Sequence, residues 1–268
     1  RVPSALAAIV LVATVWYLTR RIYDERTARF AGFATASSAL VLWWSHRGAS
    51  DLGLATCTTV SLALFWTAYG VAPRGPRRAV LIVLGYLAAG AGMLYKMPMP
   101  IVVVGLPVAT YVVWRAWSDQ WPGPRGRRVA LGLLLLGAGA LLLQWLPVVA
   151  LLTLVSLILL LRHHGRAVQW PAHLLGIVAF LAPWVPWAVL VLASEPTAWQ
   201  RWEVEFLDRF TGELPNVHGQ DHGWFLLTYL VTPLVYCLPY SLSLPDALWR
   251  GARRAPTARG DGPLCMVL

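Results

Sequence analysis

Apolar runs of 15 to 26 residues recur along the whole chain, and every second junction between them carries a short cluster of arginines. A hydrocarbon layer about 30 Å thick is spanned by roughly 20 apolar residues in a helix. In lipid the backbone must satisfy its own hydrogen bonds, so such runs fold as helices. The composition agrees: 58% of residues are hydrophobic and 13% charged, against about 25% charged in a soluble domain. The fold expected is an all-α, polytopic transmembrane helix bundle. About nine crossings are read over 4–19, 30–45, 51–69, 79–95, 98–114, 129–144, 147–161, 171–193 and 224–249. Residues 1–268 are read as a single transmembrane domain, with an outer-face loop at 194–223.

The net charge of +10 does not form the continuous basic stripe of a nucleic-acid binder. With the apolar stretch 129–161 taken as two crossings, 17 of the 22 basic residues fall on one face, in the clusters around Arg20, Arg77, Arg127, Arg162 and Arg253. Arg1, Arg47, Lys96, Arg201 and Arg209 remain on the other face, together with Asp51, Glu195, Glu203, Glu205, Asp208, Glu213 and Asp221. Basic residues near helix ends resist translocation. The Arg-rich loops are therefore expected to be cytoplasmic, and loop 194–223 periplasmic or extracellular. Taking 129–161 as one crossing would put Arg162 and Arg166 outside. Many of the 15 tryptophans, such as Trp43, Trp44, Trp114 and Trp170, stand at expected helix ends as an aromatic belt. Gly85, Ala88, Ala89 and Gly92 have the spacing of close helix packing.

The chemistry-bearing residues of the outer face are few. In 194–223, Trp199, Trp202, Phe206 and Phe210 line one side of a helix and Arg201, Glu205, Asp208 and Arg209 the other, the pattern of a helix lying in the membrane interface. Glu205 and Arg209 either make helix-surface ion pairs or hold a polar substrate and a lipid phosphate. Lys96 lies in Tyr95-Lys96-Met97-Pro98, a turn before a proline-started helix. It is either a snorkelling anchor or an ammonium beside a helix N-terminus, which suits an anion. Arg47 and Asp51 flank another outer turn, where Asp51 either caps a helix or binds. His218 and His222 have no fixed third ligand, so no metal is assigned and a divalent ion is left open. Cys57, Cys237 and Cys265 are scattered and form no disulfide framework or metal signature. No phosphate-cradling glycine loop or dinucleotide fingerprint is present, which disfavours a nucleotide-binding enzyme.

Several segments, in order, resemble the C-type glycosyltransferase superfamily, specifically the bacterial membrane enzymes related to aminoarabinose transferase and protein O-mannosyltransferases. These are Arg1-Val2-Pro3-Ser4 with Arg20-Arg21-Ile22-Tyr23, Ser45 to Asp51, Leu94-Tyr95-Lys96-Met97-Pro98, Pro183-Trp184-Val185-Pro186-Trp187, Glu205 to Phe210, and Pro239 to Pro245. The third is similar to the family's Leu-Thr-Lys-Gly-Pro turn and departs from it at Tyr95 and Met97. The resemblance implies sugar transfer from a polyprenyl-phosphate carrier to a lipid or protein acceptor, on the outer face of a bacterial inner membrane, with no nucleic acid involved. It also implies a catalytic acidic residue in an outer loop preceding Arg1, so Asp51 and Glu205 are not promoted to that role. The chain begins without Met and stops as an apolar run starts at Pro263. Both ends are therefore expected to be internal to a longer protein. Arg47, Asp51, Lys96, Glu205, Arg209 and His218 are the expected substrate and phosphate contacts. The competing class is a transporter or flippase of lipid-linked sugars. Such a protein would more often carry ionisable residues at the midplane and broken, repeated helices.

Overall fold

The computed structural model describes residues 2–47, 50–73, 75–96, 99–101, 103–105, 107–108, 169–195 and 197–203. All regular structure among them is helical, with no strand. The elements are α1 (Val2–Ile22), α2 (Glu25–Ser37), α3 (Ala39–Arg47), α4 (Ser50–Trp66) running into a π-helical turn (Thr67–Val71), α5 (Pro76–Met93), α6 (Trp170–Ser194) and the short α7 (Ala198–Glu203).

Three of these are long and apolar enough to cross a membrane: α1, α4 with its π turn, and α6. They correspond to the crossings expected at 4–19, 51–69 and 171–193. The 18-residue α5 meets the run expected at 79–95, but its first turn carries Arg77 and Arg78 and it is not among the three. The described residues thus do not support a count of nine. The crossings expected at 129–144, 147–161 and 224–249 lie outside them, and the one at 98–114 is described only as far as Val108.

The crossing expected at 30–45 is two helices, which corrects the sequence reading. Ser38 leaves the helical region at φ −66°, ψ 136°. Its neighbours Thr35 and Ser37 turn their hydroxyls onto the carbonyls of Ala31 and Phe33, and the Ser38 hydroxyl takes that of Thr35. Side chains of this kind compete with the backbone ladder. The Ser38 oxygen also accepts from the Val41 N–H, so one residue closes α2 and opens α3. At the other end of α2, the Asp24 carboxylate accepts from the Thr27 N–H at 2.8 Å. That bond holds its pKa below the ordinary carboxylate value.

The helices pack through small residues and a few hydrogen bonds. α1 and α4 run parallel, with the Thr56 hydroxyl donating to the Ala7 carbonyl at 3.0 Å and Leu18 meeting Ala63 and Trp66. α5 returns antiparallel to α4, joined to it by the buried Ser61 hydroxyl on the Gly85 carbonyl at 2.7 Å. α6 lies parallel to α5: Tyr86 meets Gly176 near its start and Gly90 meets Phe180 further along. A Cβ on Gly90 would stand 2.1 Å from the Phe180 carbonyl oxygen, so only glycine permits this backbone approach. Pro183 and Pro186 lie within α6, which stays helical through both, as packed membrane helices permit. Large apolar side chains such as Val178, Val189 and Leu190 face outward, 58 to 69% exposed, a surface suited to lipid rather than water.

This packing gives the bundle two distinct ends. Ile22, Val71, Pro76 and Trp170 lie at one, with Arg20, Arg21, Arg26, Arg29, Arg77 and Arg78. Ser50, Met93 and Ser194 lie at the other, with Arg47, Asp51 and Lys96.

Candidate functional site

At the end away from the arginine clusters, two turns that are distant in sequence meet. α5 unwinds after Met93 through bonds from the N–H groups of Tyr95 and Lys96 to the Gly92 carbonyl, and the Lys96 carbonyl accepts from the Met99 N–H at 3.1 Å. This places the Lys96 ammonium 3.2 Å from a carboxylate oxygen of Asp51, in the first turn of α4. Both side chains are half-exposed, at 46% and 39%. The Tyr95 ring lies against Gly53, where a Cβ would come within 2.3 Å of it. Tyr95 thus has its counterpart in a glycine on the facing helix.

Arg47 ends α3 at the same end of the bundle, its guanidinium 3.7 Å from the centre of the Trp43 ring. A cation held on a ring face keeps its five donors available at the edge. The His46 ring nitrogen Nδ1 is 2.7 Å from the Leu42 carbonyl. Glu195 caps the end of α6 and accepts from the Thr197 hydroxyl at 2.5 Å, a bond that lowers its pKa. In α7, Trp202 stacks on Trp187 of α6 with ring centres 5.8 Å apart, while Trp199 stays 58% exposed.

Of the six residues singled out in the sequence, the structure therefore brings Asp51 and Lys96 together and places Arg47 at the same end. Glu205, Arg209 and His218 lie outside the described residues, as does most of the expected interfacial helix. Among the described residues, no group of three or more His, Cys, Asp or Glu could hold a metal.

A family model for dolichyl-phosphate-mannose-protein mannosyltransferases matches residues 1–135, just over half of the 268. The chain belongs to that family. Arg47, Asp51 and Lys96 all fall within the matched stretch. Neither the curated proteins nor the solved structures provide a match to the chain. Membership of the mannosyltransferase family makes this a membrane protein of the glycosyltransferase class, with a lipid-phosphate-linked sugar as donor.

A second polar cluster, at the Arg-rich end, was not foreseen. The Tyr69 hydroxyl of the π turn is hydrogen-bonded to Nε2 of His173 in α6, and the Tyr86 hydroxyl of α5 to its Nδ1 at 3.1 Å. A neutral imidazole offers one N–H and one bare nitrogen, so one tyrosine donates to it and the other accepts from it. Arg78 lies over the Tyr69 ring at 4.5 Å, and Gln169 donates to the Gly75 carbonyl at 3.3 Å. The sequence signal was present: a tyrosine, a tyrosine and a histidine, each set inside an otherwise apolar run.

Proposed function

We propose that this chain is membrane domain of a glycosyltransferase that takes a sugar from a polyprenyl-phosphate carrier and passes it to a lipid or protein acceptor. The sugar is a hexose or pentose, and the family description favours mannose. The reading places the Arg-rich end in the cytoplasm of a bacterial inner membrane and the Asp51–Lys96 end on the outer face, following the positive-inside rule. It retains residues 1–268 as one membrane domain, with 194–223 as the outer loop. Parallel packing of α5 and α6 calls for an odd number of crossings between them, because α5 ends at the end opposite to where α6 begins; one crossing at 98–114 and two within 129–161 meet that parity.

Lys96 is the principal contact for the donor phosphate, joined by Arg47 and by Arg209 from the loop. Glu205 is assigned to substrate binding or structural pairing, and His218 to substrate or phosphate binding. The observation that carries this assignment is the position of Lys96: a half-exposed ammonium at the end away from the arginine clusters, inside the family match, within 3.2 Å of a second charged turn. A charge-assisted hydrogen bond is worth about 1.5 to 3 kcal/mol, so Lys96→Ala should reduce donor use about ten- to a hundredfold. Lys96→Arg, which keeps the charge, should lose less. The test is transfer from a defined polyprenyl-phosphate mannose by the purified full-length protein, with thermal stability matched between variants. Unchanged donor kinetics in Lys96→Ala would reduce Lys96 to a membrane anchor.

A further inference from the structure

We infer that Asp51 is an internal stand-in for the donor phosphate, occupying the Lys96 ammonium until an anionic ligand displaces it. The inference rests on the reading of Lys96 as a phosphate contact and adds the regulation of that site. A lysine reserved for phosphate would otherwise stand unpaired beside apolar surface; instead its charge is matched by a carboxylate of the preceding helix, α4, at 3.2 Å. The two residues are 45 positions apart, so their meeting is made by the α4–α5 packing and not by local helix geometry. Tyr95 against Gly53 fixes the height of the Lys96 turn relative to the first turn of α4.

The pair is half-exposed on both sides, and ion pairs in that setting are weak and readily exchanged. A phosphodiester spreads its charge over two oxygens and, unlike the fixed Asp51 carboxylate, brings a ligand to the end where Arg47 stands exposed on the Trp43 ring. A neutral ligand gains nothing by opening the pair. Asp51 therefore selects for an anionic carrier and tempers its affinity, and Asp51→Asn, which keeps the size and a hydrogen-bonding oxygen, removes the competitor.

The experiment is equilibrium binding of a short-chain polyprenyl phosphate to the full-length protein in nanodiscs, for the parent, Asp51→Asn, Lys96→Ala and the double variant. Asp51→Asn should bind about two- to fivefold more tightly than the parent, the span set by the modest worth of an exposed pair. In the Lys96→Ala background, Asp51→Asn should change nothing, because the ammonium for which the two anions compete is gone. Weaker binding by Asp51→Asn would show that Asp51 positions Lys96, and equal tightening in both backgrounds would show a general field effect; either result overturns the inference. Unchanged binding in Lys96→Ala would instead remove the underlying phosphate reading, an outcome distinct from both. Thermal stability of each variant, and a control with the uncharged polyprenol, separate lost folding and prenyl binding from lost phosphate recognition.

Discussion

Replacing His173 with phenylalanine keeps a ring where the π turn, α5 and α6 meet, but removes both nitrogens that hold Tyr69 and Tyr86. In membrane proteins an interhelical hydrogen bond averages about 0.6 kcal/mol and reaches about 1.7. Two such bonds put the loss at roughly 1 to 3 kcal/mol. Ring packing against Trp170 and Tyr86 is kept, so little of the cost should come from a cavity. Tyr69→Phe and Tyr86→Phe each remove one bond and should cost about half as much. Once His173→Phe is in place, Tyr69→Phe should add little, because its partner is already gone. The assay is reversible unfolding of the full-length protein in mixed detergent micelles of rising sodium dodecyl sulfate fraction, followed by helical circular dichroism. A His173→Phe variant within about 0.3 kcal/mol of the parent would refute the assignment of His173 as the junction of three helices.

Two further outcomes follow from the packing and the topology. Gly90→Ala places a methyl group against the Phe180 backbone carbonyl, so overpacking of the α5–α6 seam should cost about 1 to 3 kcal/mol in the same unfolding assay. Cysteines placed singly at Tyr23, Gln169 and Glu195 should divide by side: a membrane-impermeant thiol reagent applied to intact spheroplasts labels the one at 195 and leaves those at 23 and 169 untouched. Labelling at 169 but not at 195, with 23 still protected, would contradict the parallel arrangement of α5 and α6.

The long apolar elements were legible because their signal is local. α1, α4 with its π turn, and α6 lie within three residues of the expected boundaries at every end. The break at Ser38 was missed because the apolar run from Ala39 to Trp44 reads as a continuation of Phe30 to Ala36, while the interruption is made by hydroxyls bonding backwards along the helix. Asp51 and Lys96 were each singled out from their turns, yet no pattern within either turn indicates that they meet. The His173 cluster joins residues 87 and 104 positions apart, and only the packing of α6 on α5 brings them together. Glu205, Arg209 and His218 remain sequence readings, outside the described residues.

The central claim is that sugar leaves a lipid phosphate at the site around Lys96. Its most direct test follows both halves of a doubly labelled polyprenyl-phosphate mannose, with isotope in the sugar and in the prenyl chain, during incubation with the full-length protein in proteoliposomes containing a lipid or protein acceptor. Glycosyl transfer predicts that each labelled sugar found covalently on the acceptor is matched by one released polyprenyl phosphate, and that Lys96→Ala slows both appearances equally. Recovery of intact donor moved to the other leaflet, with no polyprenyl phosphate released, would make the protein a carrier of lipid-linked sugars and contradict the claim.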